Sequence, residues 1–357
     1  MSVLLSLVLL SMSSARADTG SHVEQRSLNG HPFLSGENLG DPFVNGFVSS
    51  GTGLGLSKSQ IRTKGCAEGN VYCLDDVSFS NGLVAQHFQL QIQGWNRVAV
   101  HAGVHGDISF ATDEDAALYQ AAEGDVGGFG EIKLKAYGNE WMQAAVSVGV
   151  DVGGSISTSA APLLNTVSVL TSQLQGSQDN SATSDEDVAE QDLDSMDHDL
   201  AVVDQVLVLE TGAHAGWGLH RSVGLLTSMY YAHETDASNG HAYSNHFLTA
   251  ELAVSTNLKQ VWSHVPIGAL VGAEHRFHLA PSTSTVKSTS LLGGIYGIPR
   301  DYLELGLELR HTRTQVGVDS VIGHQLQGSL QGSSRDEVEV LIRRQATHVT
   351  TRLRVFF

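Results

Sequence analysis

The feature that most constrains this chain is a two-residue alternation of apolar and polar side chains that recurs along most of its length. Successive side chains of an extended strand point to opposite faces, so such alternation marks a sheet with one apolar and one polar surface. Residues 302–312 carry it most cleanly. Leu303, Leu305, Leu307 and Leu309 share one face, and Glu304, Gly306, Glu308 and Arg310 the other. Residues 97–105 set Val98, Val100, Ala102 and Val104 against Arg97, Ala99, His101 and Gly103. Residues 142–152 set Met142, Ala144, Val146, Val148, Val150 and Val152 against Gln143, Ala145, Ser147, Gly149 and Asp151. Residues 130–138 set Ile132, Leu134 and Ala136 against Glu131, Lys133, Lys135 and Tyr137. None of these has a helical period. Weaker versions occupy 47–57, 84–92, 205–217, 223–233, 244–256, 267–279 and 286–298, and the chain closes with 346–357. The pattern gives twelve candidate strands. Ten or fourteen are the alternatives, because Val338, Val340 and Ile342 also alternate and the first segment is poor.

Composition narrows the classes further. Asp and Glu number 38 against 20 Lys and Arg, a formal charge of −18, whereas nucleic-acid binding requires a basic face. With 41% hydrophobic residues the chain has enough apolar surface to order. After the first dozen residues no apolar run is long enough for a membrane-spanning helix, so a helical membrane protein is excluded. The stretch from Val3 to Met12, followed by Ala15-Arg16-Ala17, fits a secretory signal cleaved after residue 17, although no Lys or Arg precedes it. In an exported chain Cys66 and Cys73 are expected to form one local disulfide, with two free thiols as the alternative. Residues 18–45 show no firm period and read as a flexible periplasmic lead or a small lumen insert.

Short and long connections alternate along residues 46–357, and Trp95, Trp141, Trp217 and Trp262 all lie in or beside a short one. Aromatic rings gather at membrane interfaces, and Tyr302, Phe356 and Phe357 extend the same girdle. With its alternating last strand ending in Phe357, the sequence resembles the bacterial outer-membrane β-barrel proteins. That resemblance implies an all-β, antiparallel up-and-down barrel of about twelve strands in the outer membrane of a Gram-negative bacterium, short turns on the periplasmic side. It also implies that Phe357 is read by the barrel-assembly machinery, and that outer-membrane lipid and lipopolysaccharide are partners. A soluble β-sandwich or β-solenoid is the competing reading, but sandwich strands are shorter and more densely punctuated by turn signals.

The polar faces then line the lumen. They supply the acids Glu131, Asp151, Glu210, Glu251, Glu274, Glu304 and Glu308, and the bases Arg97, Lys133, Lys135, Arg276, Arg310, Arg352 and Arg354. His101 faces the same way. Such charges either pair across strands and constrict the lumen or line a permeation path. A porin-like channel or passive transporter for small solutes is the function expected. A non-conducting structural or surface-interaction barrel and an outer-membrane lipid hydrolase are the alternatives. Ser and His are plentiful, yet no local nucleophile signature stands out, so no catalytic residue is assigned. His101 and His105 project from one strand face roughly 13 Å apart, too far to share a metal ion, and no metal or other cofactor is expected. The insertion 153–204 carries nine Asp and Glu between Asp179 and Asp199 with no Lys or Arg. It reads as an acidic external loop or lid with short helical stretches, able to hold Ca²⁺ or Mg²⁺ weakly.

Overall fold

The computed structural model describes residues 26–36, 39–64, 77–113, 122–158, 201–238, 241–260, 262, 264–279, 284–300, 302–319 and 339–357. A two-residue hairpin comes first, β1 (Ser27–Leu28) and β2 (His31–Pro32). Twelve long strands follow: β3 (Phe47–Lys64), β4 (Val77–Trp95), β5 (Val98–Ala111), β6 (Ala122–Gly138), β7 (Met142–Thr158), β8 (Ala201–His220), β9 (Val223–Ser238), β10 (His241–Asn257), β11 (Ile267–His278), β12 (Ser284–Arg300), β13 (Leu303–Asp319) and β14 (Glu339–Phe356). Each pairs antiparallel with its neighbours in chain order, and β14 pairs with β3 from Phe356 opposite Phe47 to Glu339 opposite Lys64. The result is a closed twelve-stranded barrel, as the alternation implies.

The outward face is apolar because the alternating residues place it there. Leu56 is 66% exposed, Val148 64%, Ile295 62% and Leu307 52%, fractions that no soluble core would show. Among the described residues no helix is long and apolar enough to cross a membrane. At the end of the barrel that holds the short turns, Trp95, Trp141 and Trp262 are exposed, with Tyr137 and Tyr302, while Trp217 is half-buried. Phe357 is half-buried beside Gly46, whose carbonyl accepts its N–H.

The structure corrects several details. The strands outrun their alternation: β13 continues seven residues beyond Thr312 to Asp319, and the extra alternation at Val340 and Ile342 is the start of β14 rather than a further strand. Beyond Leu309 the outward positions become His311, Arg313 and Gln315, so the apolar signal ends while the hydrogen-bonded ladder runs on. A bulge between Lys135 and Tyr137 reverses facing, which turns Tyr137 out instead of in. Arg97 lies exposed in the β4–β5 turn and does not line the lumen. Cys66, Cys73 and most of the 153–204 insertion fall outside the described residues.

Residues 26–36 and 39–46 lie inside the barrel at its turn end. Asn29 and Gly30 have φ of 51° and 73°, the left-handed pair that a tight hairpin turn requires. Leu28, Phe33, Leu34 and Phe43 pack into one cluster with Leu226, Ala253, Leu270, Leu292 and Tyr296 from β9 to β12. Burying each of the large apolar side chains stabilises by about 1.5–3 kcal/mol, against about 1 kcal/mol per net hydrogen bond. The apolar seat on β9–β12 therefore holds the segment, and its polar contacts orient it.

The exterior reading makes a direct prediction. Leu307→Arg, in the middle of the outward apolar run of β13, lowers unfolding free energy in a lipid bilayer by about 2–4 kcal/mol. A shifted urea midpoint measures this, and an unchanged midpoint would place Leu307 away from lipid.

Candidate functional site

Ionisable side chains that the alternation turns inward must find partners, because an unpaired ion away from bulk water is costly. Near the turn end Arg352 meets Glu304 at 2.9 Å and Glu308 at 3.2 Å, and it also donates to the Ser35 carbonyl. Higher on the same wall Arg310 meets Glu274 at 2.6 Å. Arg276 meets Glu234 at 2.9 Å and lies over the Phe247 ring at 4.0 Å. Across the lumen Glu131 takes His101 at 3.2 Å.

The inner segment enters this network through Asp41, which meets Arg26 at 3.0 Å and Lys133 at 3.7 Å. Burial alone would raise its carboxyl, but the charges of Arg26, Lys133 and Arg354 outweigh that and hold it well below the usual carboxylate range. Wall amides hold the segment's backbone carbonyls. Gln143 donates to Pro42 at 2.7 Å, and Gln91 to Phe43 at 3.2 Å and Asn45 at 2.7 Å. The Gly40 N–H reaches Glu251 at 2.9 Å, and Ser228 donates to the Gly40 carbonyl at 3.0 Å. His31 is fully buried against Ser255 at 3.2 Å. Burial drives its pKa down to about 4, helped by His220, against a backbone contact at Arg221.

Above the segment is a cavity of about 320 Å³, with Gly36, Leu39, Gly40 and Asp41 as its floor. Its walls contain the sequence-predicted His101, Glu131, Lys133 and Asp151, then Glu210, Glu251 and Glu274, and the cations Arg276 and Arg354. Glu304, Glu308, Arg310 and Arg352 are inward but belong to the pairs just described. Lys135 is half-buried at the turn end. The charge is uneven around the ring. Arg310, Arg344, Arg352 and Arg354 outnumber Glu304 and Glu308 on the inner face of β13 and β14, while Asp107, Asp125, Glu131, Asp151, Glu210 and Glu251 outnumber Lys133 and Lys135 on β5–β8 and β10. On the inner face like charges stand directly opposite across strands at Asp107 with Asp125 and at Glu251 with Glu274.

Ser147 and His214 form a Ser–His contact, Oγ to Nε2 at 2.9 Å, with Ser228 Oγ on Nδ1 at 3.0 Å. In the hydrolytic arrangement an acid or amide orients that second nitrogen. Here a hydroxyl does, and Glu131 lies 4.0 Å from the nitrogen that Ser147 already occupies. All three residues are buried at the level of Gly40, so the contact anchors the inner segment. Outside the barrel His233 and His246 come within 3.3 Å, with Tyr231 at 2.7 Å from His246. Sequence reasoning missed Asp41, Arg26 and the Ser147–His214 pair, since none announces itself locally.

No family model and no curated protein matches the chain. The solved structures it resembles are bacterial outer-membrane β-barrel proteins. An outer-membrane channel from Pseudomonas putida F1 is 8% identical, covering 91% of this chain and 100% of that one, TM-score 0.48. A FadL homologue from Pseudomonas aeruginosa is 8% identical, covering 95% and 98%, TM-score 0.43. The translocator domain of autotransporter NalP from Neisseria meningitidis is 9% identical, covering 88% and 90%, TM-score 0.44.

Seating of the inner segment depends on pH with a definite sign. His31 is held neutral below its ordinary value of 6.5, so the seat is fully stable above pH 6.5 and weakens as pH falls towards 4. Asp41, depressed, loses its contribution only at still lower pH. Protection of residues 26–36 and 39–46 from protease or from hydrogen exchange is therefore expected to fall as pH drops from 6.5 to 4. His31→Phe is expected to remove that dependence; a dependence unchanged in His31→Phe would assign it elsewhere.

Proposed function

We propose that this protein is an outer-membrane channel for small polar solutes, closed on its periplasmic side by residues 26–36 and 39–46. The observation that carries the reading is the cavity: a space of about 320 Å³ inside a closed barrel, lined by ionisable groups and floored by a separate piece of chain. A barrel meant only as a structural plate has no need of such a space. The acid-rich wall from β5 to β10 facing arginines on β13 and β14 places a field across the lumen that acts on charged solutes. No energy source is needed, and passage is diffusion down a gradient once the inner segment shifts. The exterior supports a membrane with its turns periplasmic. Just above the apolar band, Lys58, Lys287, Arg313 and Arg343 stand exposed on adjoining strands, suited to lipid or lipopolysaccharide phosphates. The non-conducting barrel is the second reading, favoured by the apolar seat under Phe33, Leu34 and Phe43.

Planar-bilayer conductance separates the two. A side chain added at Gly40 would strike the Tyr230 hydroxyl, Ser228 Oγ and His214 Nδ1. Gly40→Val should therefore lift the segment and raise conductance severalfold over a weakly conducting native chain. If both chains insert and both stay silent, the barrel is structural.

A further inference from the structure

Arg352 and Arg354 lie two residues apart on the inner face of β14, and their surroundings differ. Arg352 takes both nearby carboxylates, Glu304 and Glu308. Arg354 stands directly across from Glu304 in the ladder yet has no carboxylate within ion-pair distance among the described residues. It is only 3% exposed, and its Nε and Nη1 have no hydrogen-bond partner. Its guanidinium carbon lies 4.2 Å from the centre of the Phe47 ring. A cation–π contact offsets only part of the cost of burying a guanidinium. Both Arg354 and Phe47 line the cavity, as does His101, whose Nε2 is likewise unpartnered. The guanidinium N–H groups of Arg354 are donors waiting for an acceptor, whereas His101 donates from Nδ1 to Glu131 and keeps Nε2 as an acceptor.

The cavity's other side has the complementary deficit. Glu210 on β8 has no cation within ion-pair distance among the described residues, and neither does Asp151 on β7. The Asp151 Oδ1 is without a hydrogen-bond partner. Asp151 pairs with Val208 and Gly149 with Glu210, which sets the two carboxylates as diagonal neighbours on the inner face. Strand β8 lies six places from β14 in a ring of twelve, so the unpaired acids face the unpaired arginine from the opposite wall.

We propose that the cavity is a binding site for a small zwitterion of the amino-acid or short-peptide class. Arg354 takes the solute's carboxylate, and Glu210 with Asp151 takes its ammonium group. A simple anion would meet the acids unfavourably, and a simple cation would leave Arg354 buried and bare; a zwitterion satisfies both. This inference rests on the channel reading but is tested separately, by binding rather than by current.

The experiment is calorimetric titration of the full chain, folded in detergent, with alanylalanine, its C-terminal amide and its N-acetyl derivative. Alanylalanine is expected to bind, and each blocked form at least tenfold more weakly. Arg354→Gln should weaken alanylalanine by a similar factor while leaving the amide's already weak affinity unchanged, since the two changes remove one interaction. Amide binding equal to that of the free dipeptide would overturn the assignment on the native chain alone, as would no binding of alanylalanine. Equal affinity in a folded Arg354→Gln would do the same. Binding without conductance would sink the channel reading and leave the site; conductance without binding would sink the site and leave the channel.

Discussion

Backbone hydrogen bonding is the constraint on which the rest of this structure depends. In hydrocarbon an unsatisfied N–H or C=O costs several kcal/mol, so a sheet can cross only if it has no edge. The pairing of β14 with β3 removes the edge, joining the chain's last strand to its first long one. Once the ring is closed, the two-residue period sorts every side chain. Leu303 to Leu309 face out, and Glu304, Glu308 and Arg310 must face in. Inward polar groups are a geometric consequence of the apolar exterior, whether or not each has a separate role. Groups that remain unpaired inside therefore mark departures from simple satisfaction.

A ring of twelve strands is wide, and wall side chains alone do not fill it. The remaining space near the turn end is taken by residues 26–36 and 39–46, which meet each wall on its own terms. Toward β9–β12 they present Leu28, Phe33, Leu34 and Phe43. Toward β4–β7 they present backbone carbonyls to Gln91 and Gln143, and Asp41 to Lys133. The segment has an apolar back and a polar front. An apolar back resists loss by a term that grows with buried area, whereas the front can exchange its hydrogen bonds for water at little net cost. The hydrogen bonds alone therefore hold the segment less firmly on the β4–β7 side than the apolar contacts do on the other.

The barrel was legible in the sequence because lipid enforces strict alternation, and Leu303, Leu305, Leu307 and Leu309 have no other economical arrangement. Strand ends were not, since β13 above Leu309 is held by its ladder and no longer by apolarity. The Tyr137 reversal comes from a single bulged residue, which the local pattern does not encode. The Asn29-Gly30 pair was a readable hairpin signal, and Phe33, Leu34 and Phe43 are too apolar for an exposed lead. What no local pattern could give is who pairs with whom. Asp41 meets Lys133 across ninety-two positions of sequence, and Arg352 rather than Arg354 takes Glu304 through geometry alone.

That last choice has a consequence for opening. With the inner segment seated, Asp41 lies among Arg26, Lys133 and Arg354, and its charge is felt by all three. Arg26 and Asp41 belong to the segment and cancel; Lys133 and Arg354 belong to the wall. On the proposed channel reading, were the segment to swing away, Arg26 and Asp41 would leave together, and Lys133 would lose its ion-pair partner while Arg354 would lose a nearby negative charge. That loss opposes opening on the polar front, where the hydrogen bonds do not. If a solute carboxylate binds at Arg354 as proposed, it supplies negative charge beside Lys133 and Arg354, and the cost of displacing the segment falls. On that reading, solute binding and opening are linked, each favouring the other by the same free energy.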